Sequence, residues 1–216
     1  MTILFSHGNA EDLGYIVQYF KHILPDLNAN IFAYDYTGYG SSSGTPSEAD
    51  VYADIEASFL YLRDTAKVPW SSIVLFGRSL GTSASTHLAS LTPVRGIILQ
   101  CPMLSVFRIA FNSRFTFPGD QLVSIDRMDM IESPMLVIHG MCDEIVPFWH
   151  GLEVWKNLKN KSVGSQIIEP FWVPNAMHND IEIMALSEFS ERISHFLTLL
   201  ETSPISTQLE NQKILI

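Results

Sequence analysis

The sequence predicts an α/β fold in which helices cover both faces of a mostly parallel β-sheet. Short apolar runs alternate with amphipathic helical patterns at least five times along 216 residues, and this alternation is typical of strand–helix–strand units. The run at 73–77, Ile-Val-Leu-Phe-Gly, has no polar alternation and indicates a strand buried on both faces. A chain of this length can bury a large core, so we expect one domain over 1–200.

The elements follow from hydrophobic periodicity and from turn residues. We expect strands at 1–5, 30–36, 73–77, 96–100, 134–139 and about 166–173. Helices are expected at about 11–24, 46–65, 82–91, 147–158 and 181–200. Glu11 and Asp12 are expected in the first turn of their helix, where carboxylates interact favourably with the helix dipole.

Two segments lack a regular pattern. Segment 102–133 contains four phenylalanines and is either a short cap over a cleft or a set of ordinary connecting helices. Residues 201–216 are polar at first, and we expect a poorly ordered tail there.

The composition argues against several classes of function. No run of eighteen apolar residues indicates a transmembrane helix, and the N-terminus lacks the form of a signal peptide. The net charge of −10 disfavours binding to nucleic acid and to anionic membranes. Cys101 and Cys142 do not make a disulfide framework, and both follow apolar strands, which suits reduced, buried thiols in a cytoplasmic protein. Neither C-x-x-C nor H-E-x-x-H occurs, so we predict no metal site and no cofactor.

The strand at 73–77 runs directly into Gly77-Arg78-Ser79-Leu80-Gly81, a G-x-S-x-G turn. A strand that turns at once into a helix needs glycines at its tightest points, because a Cβ there would clash. The serine at the apex is then held in a strained backbone with a helix N-terminus behind it, which makes Ser79 a candidate nucleophile. The alternative interpretation is an ordinary Gly/Ser turn between a strand and a helix.

A serine hydroxyl needs a base, and histidine has the pKa suited to that task. Of seven histidines, His178 alone lies in a loop between the final strand and the final helix, so we expect it to reach over the sheet. Asp143 follows the strand at 134–139 and is the expected carboxylate that orients the imidazole. The carboxylates that we assign to other roles are Glu144, Asp180 and Asp35.

Acyl transfer produces an oxyanion that needs two hydrogen-bond donors. We expect the backbone N–H of Leu80 as one donor and Asn9, in the loop after the first strand, as the other, with Ala10 as the near alternative. These residues follow different strands, and chemistry in open α/β sheets gathers at the carboxyl ends of the strands. Phe107, Phe111 and Phe115 are candidates for lining an acyl pocket.

Several segments between about residues 3 and 198 together resemble one family. They are 7–14, 34–44, 46–48, 52–55, 77–82, 138–144 and 178–182. The chain resembles the α/β-hydrolase-domain-17 family of protein depalmitoylases, and the chain order Ser79, Asp143, His178 is the one expected for α/β-hydrolases. The resemblance implies these residues as nucleophile, acid and base, and it implies hydrolysis of long-chain acyl thioesters on protein cysteines.

The resemblance leaves other functions open. A small-ester, lipid or peptide hydrolase would use the same residues and differ only in its pocket. A catalytically silent fragment or pseudo-hydrolase would act through its surface. The expected partner is therefore an acylated protein or a small acyl ester, with no nucleic acid.

Two features depart from the family pattern. Members of the family carry two further sheet strands and a lipidated, cysteine-rich stretch before the region matched here, whereas this chain begins at what resembles the third strand, Ile3 to Phe5. We therefore expect an N-terminally shortened fold without the first two strands, and an exposed apolar edge at 30–36. Membrane contact is expected only through the missing segment, which places the protein in the cytoplasm, or at the cytosolic face of membranes in a full-length form. Arg78 stands where the family usually has a neutral polar residue.

Overall fold

A computed structural model describes residues 1–23, 27–161, 168–212 and 216. The strands are β1 (Thr2–Ser6), β2 (Asn30–Ala33), β3 (Ile73–Arg78), β4 (Gly96–Gln100), β5 (Met135–Gly140) and β6 (Phe171–Val173). The α-helices are α1 (Leu13–Ile23), α2 (Glu48–Leu60), α3 (Leu80–Leu91), α4 (Val106–Ala110), α5 (Trp149–Lys161), α6 (Ile181–Met184), α7 (Leu186–Thr202) and α8 (Thr207–Glu210). The strands form one parallel sheet in the order β2-β1-β3-β4-β5-β6.

The sheet separates two hydrophobic layers. Successive side chains of a strand point to opposite faces, so Leu75 of β3 packs in the layer that includes α2 and α3, while its neighbours Val74 and Phe76 pack in the layer that includes α1 and α7. Every residue of β1, β3, β4 and β5 is buried. Strands buried on both faces explain the unbroken apolar runs, and the predicted α/β fold with helices on both sides of a parallel sheet is confirmed.

Helix α2 shows how polar residues set an element boundary. Ser47 is the N-cap, and its Oγ accepts a hydrogen bond from the backbone N–H of Asp50 at 3.2 Å. The predicted helix at 46–65 is observed as α2 followed by a π-helical turn at Tyr61–Thr65, where the N–H of Ala66 donates to the carbonyl of Tyr61.

The N-terminal half differs from the sequence expectation in two places. The strand expected at 30–36 ends at Ala33, whose partner in β1 is Phe5. At the next position of each strand the contact is between side chains, because the hydroxyl of Ser6 lies 2.9 Å from the hydroxyl of Tyr34. The prediction that Glu11 and Asp12 lie inside the first helix is wrong, because α1 begins at Leu13. Asp12 instead caps the helix from outside, accepting from the N–H of Tyr15 at 2.9 Å.

The C-terminal part also differs from a simple pattern. The single helix expected at 181–200 is interrupted at Ala185, whose backbone (φ −145°, ψ 41°) separates α6 from α7. Of the strand expected at about 166–173, residues 166–167 lie outside the described residues and β6 occupies Phe171–Val173. In the segment that we expected to be a tail, α8 places Leu209 in a buried position, and the Gln212 side chain donates to the carbonyl of Ala89 at 3.0 Å.

The irregular segment 102–133 contains α4 and a 3₁₀-helical turn at Ile125–Met130. Its role as a cap stays a prediction. None of the helices in the described parts of the chain is long and apolar enough to span a bilayer.

Candidate active site

The turn between β3 and α3 holds Ser79 in a strained conformation. Its φ of 52° and ψ of −112° lie outside the regions that L-residues commonly adopt. A Cβ at Gly81 would lie 2.0 Å from the carbonyl oxygen of Ser6, and one at Gly77 would lie 2.3 Å from the carbonyl oxygen of Gly81. Gly77 is therefore required for the backbone to turn this sharply, and Gly81 is required for the end of β1 to approach the turn this closely.

Hydrogen bonds connect Ser79 to His178, and His178 to Asp143, from distant parts of the chain. The Nε2 atom of His178 lies 3.0 Å from the Oγ atom of Ser79, and its Nδ1 atom lies 2.8 Å from Oδ2 of Asp143. Ser79 follows β3, Asp143 follows β5 and His178 follows β6. The three residues therefore lie at the carboxyl ends of parallel strands, on the same side of the sheet where those strands end. With the proton of the imidazole on Nδ1 and facing the carboxylate, Nε2 is free to accept the serine proton.

Asp143 is surrounded by donors. Its Oδ1 accepts hydrogen bonds from the N–H groups of Ile145 at 2.9 Å and Val146 at 2.7 Å, and Oδ2 lies 3.2 Å from Nε2 of His139. Burial by itself would raise the pKa of the Asp143 carboxyl, but the hydrogen bonds from His139 and His178 outweigh burial and hold the pKa well below its ordinary value. The carboxylate therefore stays charged and fixed in orientation at neutral pH.

His139 is a contact of the acid that the sequence did not reveal. The sequence pattern indicates only that it ends a strand. The structure shows that it is fully buried, with Nε2 shared between Asp143 and the carbonyl oxygen of Val146 at 2.9 Å. Its position four residues before Asp143 was the available signal, but only the bend after β5 brings the two side chains together.

The loop after β1 lies beside the Ser79 turn. The backbone of Ser6 and His7 approaches Gly81 so closely that a Cβ there would lie 2.9 Å from the carbonyl oxygen of His7. Leu80 is the first residue of α3, so its N–H has no partner four residues earlier in the helix. Asn9 is exposed and its side-chain oxygen accepts a hydrogen bond from the Tyr39 hydroxyl at 2.7 Å. Its role as an oxyanion donor stays a prediction.

The other predicted residues occupy different surroundings. The phenylalanines that we considered for an acyl pocket are not enclosed: Phe111 is 68% and Phe115 is 74% exposed, and the ring of Phe107 packs on that of Phe111 with centroids 5.4 Å apart. The carboxylates assigned to other roles each accept a hydrogen bond from a backbone N–H. Asp35 accepts from Leu13, Glu144 accepts from His178, and Asp180 accepts from Met177.

Cys101 is buried beside Asp143 and His178, whereas Cys142 is exposed, which corrects the expectation that both thiols are buried. The side-chain donor atoms of Cys101, Asp143 and His178 lie within 4.8 Å of one another. Metal binding requires a thiolate, but burial, reinforced by the nearby Asp143, raises the pKa of the Cys101 thiol well above its ordinary value. Asp143 and His178 already satisfy each other, so these residues fit an acid–base pair better than a metal site.

The comparisons with known proteins agree with this fold. A family model for the alpha/beta hydrolase fold matches residues 2–123. Alpha/beta hydrolase domain-containing protein 17C of Xenopus tropicalis is 42% identical over 198 residues, which are 91% of this chain and 61% of that protein. The human protein 17B is 39% identical over 91% of this chain and 66% of its own length. The chain thus spans about three fifths of the length of relatives such as the frog protein.

Solved structures show the same architecture at lower identity. A thermophilic esterase, Est2, from Thermogutta terrifontis has a TM-score of 0.72 and 20% identity, covering 95% of this chain and 85% of its own. A monoacylglycerol lipase from Paleococcus ferrophilus has a TM-score of 0.66 and 17% identity, covering 92% of this chain and 94% of its own. At these identities the likeness concerns the fold.

Proposed function

The chain belongs to the α/β-hydrolase fold family, and on that premise we propose that it is a serine hydrolase that cleaves acyl thioesters or esters. The observation that carries the proposal is the pair of contacts made by His178, 3.0 Å to the Ser79 hydroxyl and 2.8 Å to the Asp143 carboxylate. In this proposal Ser79 is the nucleophile, His178 the base and Asp143 the acid.

The reaction would proceed in two halves. Ser79 Oγ attacks the acyl carbonyl while His178 Nε2 takes its proton, and the imidazolium then protonates the leaving thiolate or alkoxide. A water molecule, deprotonated by the same Nε2, hydrolyses the acyl-serine and restores the free hydroxyl. The N–H groups of Leu80 and Asn9 are the proposed donors to the oxyanion in both halves.

The resemblance to the domain-17 proteins favours a long-chain acyl group on a protein cysteine as the substrate. The sequence-based expectation of a cytoplasmic protein, located at the cytosolic face of membranes in a full-length form, agrees with such a substrate, because thioester-linked acyl chains hold proteins on that surface. A small acyl ester is the second candidate, supported by the exposure of Phe111 and Phe115, which leaves them without an enclosed acyl pocket.

Fluorophosphonate labelling tests the nucleophile. We expect the wild-type protein to be labelled and the Ser79→Ala variant to stay unlabelled, with Ser83→Ala as a matched control that keeps its label because Ser83 lies in α3 and donates toward Leu122. Label that persists in Ser79→Ala would remove the assignment.

A panel of acyl thioesters and esters of increasing chain length tests the substrate class. A depalmitoylase should show the highest kcat/KM on long-chain thioesters, and a small-ester hydrolase should lose activity as the chain grows. Ser79→Ala serves as the blank in both series.

A further inference from the structure

Arg78, the residue just before Ser79, connects two loops of the candidate site. Its guanidinium forms an ion pair with Glu11 through Nη1, and Nη2 donates to the side-chain oxygen of Asn179 at 3.0 Å. Asn179 follows His178 directly. Arg78 is only 7% exposed, so its charge faces the protein and does not project toward a substrate.

Glu11 extends this connection to the loop after β1. Its second oxygen, Oε2, accepts a hydrogen bond from the N–H of Gly8 at 2.6 Å. A Cβ on Gly8 would lie 2.9 Å from that oxygen and 3.5 Å from Nη1 of Arg78, so the backbone of Gly8 touches both members of the pair. Contacts therefore run without a gap from Asn179 through Arg78 and Glu11 to Gly8, which is followed by Asn9.

Stability alone is a poor explanation for this pair. The side chains of Arg78 and Glu11 are 8% and 10% exposed, and removing two charges from water costs free energy that their attraction offsets only when the geometry is good. The pair does, however, span three chain segments that must be in register for the proposed reaction. They carry Asn9, Ser79 and His178.

We infer that Arg78 and Glu11 are positioning residues that hold the oxyanion loop and the His178 loop against the Ser79 turn. This inference rests on the proposed hydrolase function. The pair touches no reacting atom and acts through Gly8 and Asn179. A displacement of about 1 Å at a reacting group can lower a rate by about 10²-fold, so the effect should appear in kcat.

The experiment compares Arg78→Gln, Glu11→Gln, the double variant and Asn179→Ala, using a short p-nitrophenyl ester that needs no acyl groove. We expect each single variant to lower kcat about 10- to 10²-fold while KM changes less than about threefold. Asn179 is exposed, so Asn179→Ala keeps the proposal testable if a buried variant fails to fold. Arg63→Gln, which breaks the exposed pair with Asp64, is the matched control and should leave kcat unchanged.

The double variant separates positioning from stability. A single neutralisation leaves one buried charge unpaired, and the double variant removes both charges, so its melting temperature should recover toward the wild type. If Arg78 and Glu11 position the loops, kcat stays low in the double variant. Recovery of kcat together with the melting temperature, or kcat within about twofold of wild type in the single variants, would overturn the inference.

Hydrogen exchange keeps the two proposals distinguishable. The Gly8 N–H should exchange faster in Arg78→Gln and Glu11→Gln than in the wild type, whether or not the protein hydrolyses esters. If fluorophosphonate does not label Ser79 in the wild-type protein but the Gly8 N–H exchanges faster in the variants, the proposed function is refuted and the loop connection stands. Unchanged exchange would refute the loop connection itself.

Discussion

Replacing Asp143 with asparagine tests whether the carboxylate sets the protonation of His178. Oδ1 of Asp143 accepts from two backbone N–H groups, those of Ile145 and Val146, and Oδ2 faces His178 at 2.8 Å and His139 at 3.2 Å. Because the two backbone donors need an oxygen, the amide oxygen of asparagine should take the Oδ1 position. Its NH₂ group then faces both imidazoles.

An NH₂ group beside Nδ1 favours the histidine tautomer whose proton is on Nε2, and this tautomer cannot accept the proton of Ser79. In a serine protease the same substitution lowers kcat by about 10⁴, which corresponds to about 5 kcal/mol of activation free energy. We expect a loss of that order for Asp143→Asn. We also expect the free energy of unfolding to fall by about 1–3 kcal/mol, since His139 faces a donor where it had an acceptor.

Steady-state hydrolysis of a p-nitrophenyl ester measures kcat, and circular dichroism checks that the variant is folded. Glu144→Gln is the matched control, because this exposed neighbour contacts His178 only through the backbone N–H, at 3.2 Å, and should cost less than about tenfold. A folded Asp143→Asn protein with kcat within about tenfold of the wild type would refute the role assigned to the carboxylate.

Three further predictions concern the turn, acid stability and the C-terminal segment. Gly81→Ala should abolish ester hydrolysis and lower the yield of folded protein, because its Cβ would lie 2.0 Å from the carbonyl oxygen of Ser6. Burial lowers the pKa of His150 to about 3, whereas a histidine in the unfolded chain has a pKa of about 6.5. The unfolded state therefore gains stability by protonation at a pH where the folded state does not. The free energy of unfolding should fall as the pH drops from about 6.5 toward 3. His150→Gln should flatten the fall of the melting temperature over this pH interval. In the wild type, protonation of Nδ1 removes the acceptor of the Leu104 N–H, and glutamine does not titrate. Leu209→Ala should lower the free energy of unfolding by about 2 kcal/mol in urea denaturation, because Leu209 is 1% exposed.

Matched variants set the baseline for these three measurements. Gly14→Ala places its Cβ 3.1 Å from the movable side chain of Asp12 and should change stability by less than about 1 kcal/mol. His195→Gln replaces an exposed histidine and should keep the wild-type acid profile. Ile183→Ala removes an 82% exposed side chain and should not change the urea midpoint. If a test variant gives the same measured value as its control, the structural reason given for that prediction is wrong.

Much of the fold was readable from the sequence because burial on both faces of a parallel strand leaves a local signature. The runs around Leu75 and Val137 need no tertiary information to be recognised as strands, since no polar residue interrupts them. The interruption at Ala185 left no such signature. Alanine is the strongest helix former, so the residue itself does not predict the break between α6 and α7.

The sequence predicts the residues of the candidate site that belong to a motif. It does not predict contacts that form only when distant segments pack together. Ser79 stands in a motif, and the order of serine, aspartate and histidine along the chain is a known pattern. The partners of Arg78 carry no such pattern, because Glu11 and Asn179 lie far from it in sequence and meet it only in the folded sheet. The burial of Leu209 was missed for the same reason, since polar neighbours conceal a single anchoring side chain.

The position of β1 between β2 and β3 has a consequence for synthesis on the ribosome. β1 lies between β2 and β3, and Thr2 pairs with both Asn30 and Ile73. At about 5–20 residues per second, the 71 residues from Thr2 to Ile73 take roughly 4 to 14 seconds to translate. Until β3 emerges, β1 cannot form its native pairing with that strand, so this part of the sheet cannot close before then.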